Sequence, residues 1–74
     1  GGSKPVLFEV RIGATGAAGA KIELFDGTVA AGTKFDEIPG TAIATKYYRG
    51  RMTDSLHVET TDGAGTLRAT VWYL

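Results

Sequence analysis

Short stretches of alternating apolar and polar residues, each closed by a Gly, Asp or Pro turn, run almost the full length of this chain and constrain it most. Val6-Leu7-Phe8-Glu9-Val10-Arg11-Ile12 is the clearest of them. A period of two places successive side chains on opposite faces of a strand, so each such stretch offers one face to a core and one to the outside. No segment repeats apolar residues at the three-and-four spacing of a helix behind a capping residue. The most helix-like run, Ala14 to Ala20, is interrupted by Gly16 and Gly19 and reads as a loop.

Six strands are expected. The first covers Pro5 to Gly13, with Val6, Phe8, Val10 and Ile12 inward and Leu7, Glu9 and Arg11 outward. The second covers Ala20 to Phe25 and ends at the Asp26-Gly27 turn. Thr28 to Gly32 is a loop or a weak bulged edge. The third covers Thr33 to Ile38 and stops at Pro39-Gly40, and the fourth covers Thr41 to Arg49, followed by a turn over Gly50 to Asp54. The fifth covers Ser55 to Thr61, with Leu56 and Val58 inward and His57 and Glu59 outward. Asp62-Gly63-Ala64-Gly65 reads as a hairpin turn into the sixth, Thr66 to Leu74. There Leu67, Ala69, Val71 and Tyr73 point inward, and Arg68, Thr70, Trp72 and Leu74 outward. Six strands at this spacing specify an all-β fold: a small antiparallel β-sandwich or a jelly-roll-like barrel. Residues 5–74 form one β domain, and residues 1–4, opening Gly1-Gly2-Ser3, read as a tag or linker remnant.

The chain has 74 residues and no cysteine. A domain this small buries a modest share of its surface and gains from a staple or a partner. Disulfides are excluded, so self-association is the expected route. Eight basic residues balance eight acidic ones, which argues against a nucleic-acid binder with its basic excess. No apolar run reaches the length of a membrane helix.

No segment carries a catalytic signature. Gly13-Ala14-Thr15-Gly16-Ala17-Ala18-Gly19 lacks the Lys-Ser/Thr of a phosphate loop and runs into a strand rather than a helix. Asp36 and Glu37 are adjacent on a strand and face opposite ways, unlike a glycosidase pair. His57 has no second histidine or cysteine with which to bind zinc. Asp26, Asp54 and Asp62 are the candidate calcium ligands if they converge, but Asp is also an ordinary turn residue. The expectation is no enzyme, no cofactor and no metal.

Contact chemistry remains. Leu7, Phe25, Trp72 and Leu74 fall on the register opposite the assigned core and are the candidate protein-interface residues. Lys46-Tyr47-Tyr48-Arg49-Gly50-Arg51 interleaves basic and aromatic residues. With Trp72, the residues Tyr47, Tyr48, Arg49 and Arg51 form the alternative candidate, a ligand platform for a glycan or receptor.

Gly19-Ala20-Lys21-Ile22-Glu23-Leu24-Phe25-Asp26-Gly27-Thr28, followed by Ala30-Ala31-Gly32-Thr33-Lys34, resembles a pattern in small structural proteins of tailed bacteriophages. Ser55-Leu56-His57-Val58-Glu59-Thr60 and Val71-Trp72-Tyr73 fall where the later strands of such proteins lie. The resemblance implies a non-enzymatic virion module for capsid decoration, head fibre or tail. It also implies a homo-oligomer that touches a capsid or tail protein, located in the virion. The alternatives are a carbohydrate- or receptor-binding module, secreted or in the host cytoplasm, and an engineered β scaffold, which Gly1-Gly2-Ser3 and the simple Ala/Gly/Thr vocabulary suggest.

Overall fold

A computed structural model describes residues 4–27, 32–63 and 65–74. The expectations for Gly1-Gly2-Ser3, for residues 28–31 and for Ala64 lie outside the described residues. Six strands form: β1 (Val6–Ala14), β2 (Lys21–Asp26), β3 (Thr33–Pro39), β4 (Ala44–Met52), β5 (Leu56–Thr61) and β6 (Arg68–Tyr73). The all-β expectation is met, and no helix occurs among the described residues. The strands pair antiparallel in two three-stranded sheets, β4-β1-β6 (sheet A) and β3-β2-β5 (sheet B). Their inner faces meet in one core of Leu7, Val10, Ile12, Ile22, Leu24 and Ile38, the arrangement of a small sandwich.

Two expectations about connectivity are corrected. The fourth strand continues through Gly50 to Met52 where a turn was expected. It does so by bulging: Leu7 pairs with Arg51 and Glu9 with Tyr47, so three β4 residues stand opposite Phe8 alone. Arg49 (φ 52°) and Gly50 (φ 78°) take the left-handed backbone that this detour needs. Secondly, β5 and β6 are not a hairpin, because β5 pairs with β2 and β6 with β1, in different sheets. Asp62 holds this crossover. Its carboxylate accepts hydrogen bonds from the Ala17 N–H at 3.2 Å and the Leu67 N–H at 2.7 Å. A side chain at Gly16 would collide with Asp62 Oδ1 at 2.5 Å, so only glycine lets the β1–β2 loop pass this close.

A bulge also reverses the expected facing at the start of β1. Phe8 is an extra residue against β6, where Leu7 pairs with Tyr73 and Glu9 with Trp72. One inserted residue flips every side chain before it to the other face. Leu7 is therefore fully buried, and Phe8, expected inward, is 40% exposed.

Candidate functional site

The two outer faces of the sandwich differ in chemistry. On sheet B, Lys34 of β3 pairs with Glu23 of β2 at 3.0 Å and with Glu37 of β3, and Lys21 of β2 lies 3.8 Å from Glu37. The Glu37 and Glu23 carboxylates hold Lys34 above its ordinary pKa. Exposed pairs of this kind add little stability, but with Glu59 of β5 opposite Glu23 they leave the face charged and well solvated.

The outer face of sheet A is aromatic. Glu9 on the central strand has Tyr47 of β4 opposite it on one side and Trp72 of β6 on the other. Arg11, the next outward residue, has Thr45 and Thr70 as its neighbours. Its guanidinium carbon sits 5.0 Å from the Trp72 ring centre, and Nη2 reaches Glu9 Oε2 at 3.4 Å. Phe8, Glu9, Arg11, Trp72, Tyr73 and Leu74 line a shallow open depression here. Leu74 is 80% exposed, and Tyr47 and Met52 are both 69% exposed. An apolar patch rimmed by a few polar groups is the usual mark of a contact surface.

The candidate interface residues divide. Trp72 and Leu74 stand exposed on sheet A as the alternation predicts. Leu7 is corrected to a core residue, because the Phe8 bulge turns it inward. Phe25 is also corrected. It stays on the outer side of sheet B but is buried, with the His57 ring of β5 paired opposite it at 5.8 Å. His57, expected to face solvent, is half-buried in consequence. Its Nε2 is buried without a hydrogen-bond partner, and the nearest acid, Glu59, is 4.0 Å away.

The alternative ligand platform also divides, and the β4 bulge is the reason. Tyr47 is outward beside Glu9, whereas Tyr48 turns into the space between the sheets and donates its hydroxyl to Asp36 Oδ2 of β3 at 2.6 Å. Lys46 reaches the same oxygen at 2.6 Å, with its ammonium 5.7 Å from the Tyr48 ring centre. Arg51 stacks on Phe35 of β3, 4.2 Å from the ring centre, and Arg49 is exposed at the bulge itself. Four of these side chains thus close one long edge of the sandwich: Lys46, Tyr48 and Arg51 from sheet A, with Asp36 from sheet B. Burial raises the Asp36 pKa, but hydrogen bonds from Lys46, Tyr48 and the Glu37 N–H outweigh it and hold the carboxyl below its ordinary value. Burial and the neighbouring Asp36 push the Tyr48 phenol above its ordinary range.

The remaining acids do not gather. Asp26 and Asp54 meet at one end of the sandwich, where Asp26 Oδ1 accepts the Asp54 N–H at 3.0 Å. Asp62 lies at the opposite end of β5, so the candidate calcium trio does not converge. Among the described residues no group of three or more His, Asp or Glu side chains is placed to hold a metal ion.

Sequence reasoning missed Phe8, Tyr73 and Met52 as exposed apolar residues. One signal was present. Leu7-Phe8 is a pair of large apolar neighbours inside an alternating strand, and such a doublet marks a place where the register can slip. Trp72-Tyr73 is a similar doublet, but β6 does not slip there; Tyr73 stays on the inner side of β6 and is 60% exposed all the same. In comparisons with protein-family models, curated proteins and solved structures, the chain matched none.

Proposed function

We propose that this chain is a non-enzymatic structural module that self-associates and seats the outer face of sheet A on a protein surface. The observation that carries the reading is the contrast between the two faces. Sheet B covers its outer side with paired charges. Sheet A leaves Phe8, Tyr47, Trp72 and Leu74 around a single Glu9–Arg11 pair. A face whose charges are the Glu9–Arg11 pair and Arg68 at its far end, amid aromatic rings, suits a largely apolar protein partner better than a polyanion. The resemblance to small structural proteins of tailed phages makes a capsid or tail protein the expected partner and the virion the expected location.

The test is absolute mass by light scattering after size exclusion, over a range of concentrations, for the wild type and Trp72→Asp. An oligomer that the substitution dissociates supports the reading. An assembly whose mass Trp72→Asp leaves unchanged removes Trp72 from the interface, and a wild-type monomer at every concentration refutes self-association.

One arrangement favours a second reading. Tyr47 and Trp72 flank Glu9 with Arg11, Thr45 and Thr70 beside them, and flat rings next to polar groups suit a sugar. A glycan panel read by tryptophan fluorescence separates the two readings, and no response across it leaves the protein-contact reading alone.

A further inference from the structure

We propose that β6 is the edge along which two copies join, antiparallel, so that the two A sheets become one continuous sheet. The proposal rests on the reading that the chain self-associates and adds the geometry by which it does so.

The main chain of β6 supplies the first argument. Val6 and Leu74 exchange both backbone hydrogen bonds at 3.0 Å. Along an antiparallel strand, residues turn their N–H and C=O alternately to one neighbour and the other. The irregularities of the β1–β6 ladder are extra residues on β1, Phe8 and Gly13, while β6 runs from Tyr73 to Arg68 without a break. Trp72 and Thr70 therefore turn toward β1 with Leu74. Ala69, Val71 and Tyr73 present their N–H and C=O to the open side, where no strand of sheet A follows among the described residues.

The side chains supply the second. Ala69, Val71 and Tyr73 pair with Ile12, Val10 and Leu7, so they lie on the core side of the sheet. Yet Ala69 is exposed, Val71 is half-buried and Tyr73 is 60% exposed. This strand faces the core and is left uncovered at its outer side, which a second β6 would cover.

The other edges are blunted. In β4 the left-handed backbone of Arg49 and Gly50 interrupts the row of free groups. In β3 the ladder slips at Phe35, and the strand ends on Pro39, which has no N–H. In β5, Glu59 already stands opposite Glu23. Arg68-Ala69-Thr70-Val71-Trp72-Tyr73 has no proline, glycine, acid or bulge, and its one charge, Arg68, stands at its first residue; such residues and bulges are the devices that keep sheet edges apart.

The strand is also complementary to itself. A two-fold axis through Val71 sets Val71 against Val71 of the second copy and small Ala69 against large Tyr73. It lets Ala69, Val71 and Tyr73 each exchange backbone bonds. On the outer side it sets Thr70 beside Trp72 of the other copy, which joins the two aromatic faces into one.

Residue-resolved amide hydrogen exchange of the wild type at high and low concentration tests this pairing. Protection should rise ~10-fold or more at Ala69, Val71 and Tyr73 in the assembled protein, and change little at Thr70 and Trp72, which β1 already protects. Ala69→Lys and Tyr73→Lys each place a charge on the exposed inner side of the edge, and each should give a folded monomer by light scattering and circular dichroism. An oligomer with no alternating protection, which both lysine variants still form while Trp72→Asp dissociates it, overturns the edge and leaves the contact face standing. A wild-type monomer at all concentrations overturns both.

Discussion

Replacing Leu7 with alanine should cost about 3 kcal/mol of folding free energy, and replacing its neighbour Phe8 should cost about 1 kcal/mol. Simple alternation along the first strand predicts the reverse order, with the larger ring in the core. The structure places Leu7 at 0% exposure among the six central apolar residues and Phe8 at 40% exposure on the outer face. Truncating Leu7 loses its transfer free energy and leaves a cavity between the sheets. Truncating Phe8 loses only part of a ring's burial and opens no cavity. A domain of this length has a total stability on the order of 4–11 kcal/mol, so Leu7→Ala removes a large share of it. Urea unfolding with an m-value on the order of 1 kcal/mol/M turns the two costs into midpoint shifts of about 3 M and about 1 M. Measurements belong at low protein concentration, so that the proposed self-association does not enter the comparison. Equal midpoints, or a larger loss from Phe8→Ala, would refute the bulge and the reversed facing built on it.

Three further perturbations probe the edge closure and the crossover. Tyr48→Phe removes the hydroxyl that bonds Asp36 and should cost about 1–2 kcal/mol. A double-mutant cycle with Asp36→Ala, which removes the acceptor, should show coupling, and additive losses would mean that the bond contributes nothing. Because the Asp36 carboxyl is held below its ordinary pKa in the fold, the stability it provides is complete above the unfolded value of about 3.9. That stability is lost as pH falls through the lower folded value. Asp36→Asn should therefore flatten the acid limb of a stability–pH curve below about pH 4, and an unchanged limb would contradict the assignment. Asp62→Ala removes the acceptor for the Ala17 and Leu67 N–H groups and should cost about 2 kcal/mol by thermal unfolding. A loss within error of zero would mean that the crossover is held otherwise.

The strands were legible because their cause is local. Alternation and turn residues place all six within a few positions of where they lie. Register and partner are not local. Leu7 and Phe8 exchange faces because β1 carries one residue more than β6 opposite it; the Leu7-Phe8 doublet marks where the register can slip but does not state that count. Asp62-Gly63 announces that the chain reverses, but the strand it then joins depends on Asp62 bonding to Ala17, distant in sequence. Of the candidate contact residues, Trp72 and Leu74 were legible because β6 is straight and its alternation survives. Tyr48 was not, because the left-handed Arg49 and Gly50 beside it divide one basic-aromatic segment between the outer face and the gap between the sheets.

Trp72 is the chain's one tryptophan and stands 42% exposed on the outer face of sheet A, so its fluorescence reports on that face alone. Acrylamide quenching across a dilution series, with mass followed in parallel, tests most directly the proposal that copies assemble through that face. Shielding of Trp72 at high concentration, lost on dilution in step with the fall in mass, is the predicted result. Quenching that stays constant while the mass falls would show that the molecule assembles without this face, and would contradict its assignment as the contact surface.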